Sequence, residues 1–211
     1  MSGVLAVGRP GFGGDSVVVG LSIFLALIIG LIAGGSLENL ARLQIRWWPV
    51  LLVAVALQAY SVGHWATDTI GPVPVRTGAF VATHALILGV ALANVRLTGV
   101  KVVVLGAASN LVALLANGGL MPVSPEARVA IGHQATVDSL AIGSVVMGSK
   151  GVVVPPEQAN LWPLTDIFVL PPPFPVPAVC SIGDVLVAVG LGYLIVRTMR
   201  SRPVRTNGGS C

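Results

Sequence analysis

Two asparagines lie on one stripe of an apolar segment near the middle of the chain. Asn110 and Asn117 are seven residues apart in the run 100–118, so helical geometry places them on one face, together with Gly106 and Ala113. An amide inside a lipid-soluble helix must find a hydrogen-bonding partner. Two interpretations follow: an interhelical hydrogen bond on a small-residue packing face, or a polar site for a solute, an ion or a lipid headgroup.

A carboxylate opens the last apolar segment. In Ser181-Ile182-Gly183-Asp184 a serine precedes an aspartate by three residues just before an apolar run, which predicts a capping box at a helix start. The negative charge also suits the positive end of the helix dipole. The alternative is a functional site. If both apolar segments cross a membrane, as predicted below, Asp184 and Asn117 lie on the same side of it and could be neighbours.

Three further polar residues are candidates for chemistry. Asp166 and His133 fall in the polar connection before the last apolar segment, and carboxylates that lie close together can share a proton. The candidate catalytic residues of an outer-face enzyme are therefore Asp166, Asp184 and His133. His84, within the third apolar segment, is either a buried hydrogen-bonded histidine or part of a polar site. The candidate ligand-binding residues are Asn110, Asn117, His84 and Asp184.

The sequence lacks the patterns of metal, cofactor and nucleotide sites. Cys180 and Cys211 are far apart, and the histidines have no ligand spacing, so we predict no metal and no cofactor. Neither a phosphate-cradling Gly-x4-Gly-Lys-Ser/Thr loop nor His-Glu-x-x-His occurs. The basic residues sit in short hydrophilic gaps and in the tail, which is typical of membrane topology signals, so we predict no nucleic-acid partner.

The composition predicts an all-α integral membrane protein whose main partner is the lipid bilayer. The chain is 55% hydrophobic and 9% charged, with a mean hydropathy of +0.90, whereas soluble domains are roughly a quarter charged. A helix needs about 20 apolar residues to span a bilayer. Five apolar segments are the predicted transmembrane helices: 16–34, 47–63, 78–94, 100–118 and 182–196. The fifth is short, so it either begins earlier or lies in a locally thinned bilayer.

The distribution of Lys and Arg predicts an orientation with the N-terminus outside and the C-terminus inside, N-out/C-in. The predicted organisation is a Gly-rich N-terminal tail (1–15), a four-helix transmembrane region (16–119), an extracytoplasmic connection or lid (120–180), a fifth transmembrane helix (181–197) and a basic cytoplasmic tail (198–211). Within the connection, Ser124-Pro125-Glu126 predicts a helix start and 152–154 a short strand. A docked, ordered lid and a disordered loop are the two alternatives for this segment.

Several motifs together carry a resemblance. They are Asn117-Gly118-Gly119-Leu120-Met121-Pro122-Val123, Leu164 with Asp166-Ile167, and Ser181-Ile182-Gly183-Asp184-Val185. The chain, from about 29 to 196, resembles a bacterial, actinobacterial-type family of small polytopic membrane proteins of unknown function. The resemblance implies a multi-pass protein of the bacterial plasma membrane, and it implies no reaction or substrate.

The function that we expect is a non-enzymatic accessory or scaffold component of a membrane assembly, with a protein partner or as a homo-oligomer. The missing catalytic motifs and the small-residue packing faces favour it. One alternative is a small transporter or lipid-binding protein with a polar site at Asn110, Asn117 and Asp184. The other is an outer-face membrane enzyme that uses Asp166, Asp184 and His133.

Overall fold

The computed structural model describes residues 14–64, 73–131, 142–143, 150–174 and 176–201. Its helices are α1 (Gly14–Ile32), α2 (Leu37–Ala41), α3 (Trp48–His64), α4 (Val73–Ala93), α5 (Val100–Ala116), α6 (Pro125–Ala130) and α7 (Ile182–Met199). Its strands are β1 (Met121–Val123), β2 (Gly151–Val153), β3 (Asp166–Leu170) and β4 (Ala178–Ser181). Two short 3-10 helices, Pro156–Gln158 and Trp162–Leu164, lie between β2 and β3.

The predicted all-α fold with five transmembrane helices is wrong. The segment between α5 and α7 forms a four-stranded sheet with the order β2-β1-β3-β4. Among the described residues one helix, Ile182–Met199, is long and apolar enough to cross a membrane by length and composition, and the other apolar helical stretches are shorter. Apolar composition alone does not separate bilayer contact from helix packing or from a short buried strand, which is why it overcounted the spans. The predicted N-out/C-in orientation assumed five spans, so it is no longer supported.

The sheet combines parallel and antiparallel pairs. β1 runs parallel to β2, with Met121 opposite Gly151, and parallel to β3, with Val123 opposite Asp166. β3 and β4 are antiparallel, with Asp166 opposite Ser181. β4 continues without a loop into α7, so the last strand residue is also the N-cap of the long helix. This junction fixes the sheet to the helices.

The helical layer is built on close contacts between small residues. α7 packs between α1 and α5, and α4 packs between α3 and α5. A Cβ atom added at Gly106 on α5 would lie 2.5 Å from the carbonyl oxygen of Gly183 on α7. One added at Gly190 would lie 2.9 Å from the carbonyl oxygen of Gly99. The α5 and α7 backbones therefore touch at two levels, which only glycine allows.

The predicted helix boundaries in this region are confirmed. The amide of Ala127 donates to Ser124 Oγ (3.1 Å) at the start of α6. Gly118 and Gly119 have φ values of +68° and +87° directly after α5, as a glycine-terminated helix requires. The strand predicted at 152–154 is observed one residue earlier, as β2.

Candidate functional site

A closed ring of hydrogen bonds joins Asn110 on α5 to the β4–α7 junction. Asn110 Nδ2 donates to Asp184 Oδ1 (2.7 Å), and Asn110 Oδ1 accepts from Ser181 Oγ (2.7 Å). The Ser181 amide donates to Asp184 Oδ2 (3.0 Å), and the Asp184 amide donates to Ser181 Oγ (3.0 Å). All three residues are buried. We call this group, Asn110, Ser181 and Asp184, the Asn–Ser–Asp ring.

The local sequence explains how the ring forms. The predicted capping box is present, and it turns the Asp184 carboxylate back over the first turn of α7. Of the stripe that helical spacing predicted on α5, Gly106 and Asn110 face α7. A Cβ atom at Gly183 would overlap the side-chain oxygen of Asn110, so this position must be glycine for the amide to reach the helix end.

A buried lysine adds a positive charge to the ring. Lys150 Nζ lies 3.9 Å from Asp184 Oδ1, and the two side chains are 2% and 4% exposed. The carbonyl oxygen of Lys150 accepts from the amide of Met121 (2.9 Å), so the pairing of β1 with β2 sets where the ammonium group lies. Sequence reasoning missed Lys150 as a site residue. The weak signal was its position directly before the Gly151–Val153 run.

A second carboxylate lies on the neighbouring strand. Asp166 is buried and stands opposite Ser181 across β3 and β4. The fold therefore brings two of the candidate catalytic residues, Asp166 and Asp184, to the same end of α7. The third, His133, lies outside the described residues.

Asn117 belongs to a different contact. Its Nδ2 donates to the Asn160 carbonyl oxygen (2.9 Å), and its Oδ1 accepts from the Asn160 amide (3.0 Å). Asn160 Nδ2 in turn donates to the Ala116 carbonyl oxygen (3.0 Å). Asn117 thus ties the end of α5 to the segment before β3. Of the three residues suggested for a transporter or lipid site, the structure joins Asn110 and Asp184 and places Asn117 elsewhere.

His84 is buried within α4. Its Nδ1 lies 2.8 Å from the carbonyl oxygen of Phe80, one turn earlier on the same helix. His84 belongs to neither the ring nor the Lys150–Asp184 pair. Among the described residues no group of three His, Cys, Asp or Glu side chains is arranged to hold a metal ion.

Arg128 on α6 supplies another partly buried cation near the sheet. Desolvation by burial lowers the pKa of its guanidinium group below the ordinary arginine value. Within the described part of the chain its Nε has no hydrogen-bond partner. The side chain therefore carries a cost of burial that its contacts do not fully offset.

A groove between α4 and α5 is separate from the ring. It has a volume of about 320 Å³ and opens to the surface between α4 and α5. Its walls are Thr77, Gly78, Val81, Leu115, Gly118 and Gly119. None of the ring residues lines it.

The ring geometry favours a structural lock over catalysis. The Ser181 hydroxyl directs its proton to the Asn110 amide oxygen, which is not a general base. Asp184 accepts two hydrogen bonds and faces the Lys150 ammonium group, so the position of its carboxylate is fixed. The four side chains hold together α5, the β4–α7 junction and the residue before β2.

A comparison with known families gives one match. A family model described as a family of unknown function, DUF5317, matches residues 42–196. Neither the curated proteins nor the solved structures gave a match.

Proposed function

The chain belongs to DUF5317, a family of unknown function, and from this premise we propose that it is a membrane-anchored accessory protein. In this proposal α7 crosses the bilayer, the outer faces of α5 and α7 contact lipid, and the sheet is a rigid head outside the hydrocarbon region. The proposed location is the bacterial plasma membrane, which the motif resemblance favours. The proposed anchor is α7.

The observation that carries the proposal is the distribution of side-chain size on α5 and α7: small residues line the faces that meet, and large apolar residues line the opposite faces. The faces that meet are lined by Gly106, Gly183 and Gly190, with the Asn–Ser–Asp ring between them. The opposite faces expose large apolar side chains, with Leu105 61% and Val189 59% exposed. In water this arrangement would leave apolar surface uncovered. In a membrane it is ordinary, because lipid covers the large side chains and small residues let the helices approach.

The ends of α7 also fit an anchor. The helix begins with a satisfied capping box and has Arg197 in its last turn, followed by Arg200 at its C-cap. Basic residues flank membrane helices on the side where they anchor in the headgroup region. The helix as a whole, Ile182–Met199, is long and apolar enough to cross a bilayer by length and composition.

The accessory role rests on the sheet layer. Phe168 and Phe174 are exposed on and after β3, on the same layer that the ring locks to α7. A rigid head with exposed aromatic side chains suits protein contact, since aromatic residues are enriched in interfaces. A transporter would need access to Asn110, and in the part of the chain that is described Asn110 is buried in its ring.

A fractionation experiment with two matched variants tests the anchor. The full chain should stay in the membrane fraction after an alkaline carbonate wash and leave it in mild detergent. Val189→Lys should lower the membrane-bound fraction, because a lysine in the middle of a lipid-facing helix costs about 3 kcal/mol.

Val129→Lys, at an exposed apolar position on α6, is the control and should leave the membrane-bound fraction unchanged. A wild-type chain that is monodisperse in buffer without detergent would refute the proposal. Equal behaviour of the two lysine variants would argue against lipid on the outer face of α7.

A further inference from the structure

Six exposed cations gather at one end of the helical layer. They lie after α2, around the α4–α5 connection and at the end of α7, and they are Arg42, Arg46, Arg96, Lys101, Arg197 and Arg200. These segments meet in space, because Leu43, Leu97 and Leu194 belong to one apolar cluster. Asn39 on α2 also donates to the carbonyl oxygen of Met199 at the end of α7 (3.0 Å). We call this surface the basic end.

The charge of the basic end is almost unopposed. Glu38 is the one acid there among the residues that the structure describes, and its Oε1 lies 2.6 Å from Arg42 Nη2. The exposed acids Glu126 and Glu157 lie at the other end, on α6 and in the 3-10 helix after β2. Exposed charge is therefore segregated along the length of the helices, which produces a directed positive field at one end.

Two tryptophans stand beside these cations. Trp47 and Trp48 are 56% and 59% exposed. Trp47 has a φ of +61°, a left-handed conformation that is costly for a bulky residue. The preceding backbone is held in place: the Arg46 amide donates to Asn94 Oδ1 (2.8 Å), and Asn94 Nδ2 donates to the Arg46 carbonyl oxygen (2.9 Å). The fold thus holds a strained turn that presents two indoles to the outside.

We propose that the basic end binds the headgroups of anionic phospholipids, with Trp47 and Trp48 lying at the level of the headgroups. The inference rests on the proposed membrane anchor and adds the class of lipid that the anchor selects. Guanidinium groups bind phosphate oxygens in pairs. Indoles suit the boundary between lipid tails and water, because one ring edge is polar and the rest is apolar. A cluster of basic residues next to a membrane helix gains affinity with each added charge.

Lipid retention by the purified full chain tests the inference. The protein in mild detergent is incubated with equal amounts of phosphatidylglycerol and phosphatidylcholine with identical acyl chains. Lipid that remains bound after gel filtration is counted by mass spectrometry. The wild type should retain phosphatidylglycerol several-fold over phosphatidylcholine. The triple variant Arg96→Gln, Lys101→Gln, Arg197→Gln should bring that ratio close to one, and all three positions are exposed, so the fold should persist.

Two matched variants distinguish the effect of charge on lipid retention from the effect of the indole. The control pair Glu126→Gln and Glu157→Gln removes exposed charge from the opposite end and should leave the ratio unchanged. Trp47→Gly suits the left-handed backbone and removes the indole, so it should lower the total retained lipid without changing the ratio. A ratio unaffected by the triple variant overturns the inference.

Two further arms identify the ligand. The phosphatidylglycerol preference should survive inorganic phosphate at millimolar concentration; displacement by phosphate would indicate a site for a soluble anion and overturn the inference. Equal retention of the two lipids by a chain that resists the carbonate wash overturns it while leaving the anchor intact. A chain released by the wash refutes the anchor itself. Co-purification of an acidic protein in place of lipid would overturn the lipid assignment.

Discussion

Lys150 and Asp184 form a buried pair of opposite charges. Removing either member alone should lower the free energy of unfolding by more than half of the loss caused by removing both. Nζ and Oδ1 are 3.9 Å apart and both side chains are nearly inaccessible to solvent. At an effective dielectric constant of about 20, Coulomb's law gives an attraction of about 4 kcal/mol at this separation. Desolvation opposes this attraction, so the net value of the pair is smaller, but each single change leaves a charge buried.

The expected pattern is a double-mutant cycle with strong coupling. Lys150→Met removes the ammonium group from beside the Asp184 carboxylate, and Asp184→Asn removes this carboxylate charge from beside the Lys150 ammonium group. Each should lower the free energy of unfolding by about 3 kcal/mol. The double variant removes both charges and should lose at least about 2 kcal/mol less than the sum of the single losses.

The assay is unfolding of the full chain in mild detergent by titration with a denaturing detergent, followed by circular dichroism. The exposed pair Glu38 and Arg42 is the matched control, since its atoms are only 2.6 Å apart but face solvent. Changing this pair to Gln and Met should give a coupling energy below about 1 kcal/mol. The reasoning is refuted if the buried pair couples no more strongly than the exposed pair.

Three other outcomes follow from single contacts, each measured by the same unfolding titration. Gly183→Ala should destabilise by about 1–3 kcal/mol because its Cβ atom would overlap the Asn110 amide. The helical control Gly20→Ala, with no atom within 4 Å of its Cβ position, should stabilise by up to about 1 kcal/mol; equal effects would contradict the contact. Asn117→Ala should lower the free energy of unfolding by about 1 kcal/mol, because it removes the hydrogen bonds to Asn160, and it should leave the Lys150–Asp184 coupling unchanged. A changed coupling would show that Asn117 acts on the ring. Because burial lowers the pKa of Arg128, its proton is held more tightly in the unfolded chain, so stability should rise as pH increases through the lowered pKa. Arg128→Met removes the buried charge, so it should raise the stability at neutral pH and flatten that alkaline rise; a persisting rise would assign it to another group.

Features that depend on neighbouring residues could be predicted from the sequence. The capping box at Ser181 and Asp184, the start of α6 at Ser124 and the glycine-terminated end of α5 each involve residues within four positions of one another. The stripe that carries Asn110 could also be predicted from the sequence, because helical spacing alone determines which residues share a face. The resemblance to a family of unknown function is confirmed at that level by the match to residues 42–196.

Features that depend on distant pairing could not be predicted. β1 lies beside β2 and β3, and both partners follow it only after long intervals of chain. Three-residue strands carry almost no periodic signal, so beyond the short strand at 152–154 the sequence predicts no sheet in this segment. Lys150 reaches the ring only because its strand pairs with β1, and Asn117 meets Asn160 only because the chain returns to the end of α5. The predicted number of spans is wrong for a related reason, because the length of each apolar segment was the only criterion.

The two ends of α7 connect the ring, the anchor and the basic end. At its N-terminus Ser181 and Asp184 bind α5 and Lys150, so the sheet cannot rotate without breaking the buried ring. At its C-terminus the carbonyl oxygen of Met199 accepts from the Ser36 amide (2.9 Å) and from Asn39 Nδ2. A Cβ atom at Gly35 would lie 2.8 Å from the Met199 side chain, so α2 is held tightly against this end. Both ends are fixed by specific polar contacts, while the faces between them pack through glycine. In the proposed function, lipid bound at the basic end would set the depth of α7, and through the ring it would set the height of the sheet above the membrane.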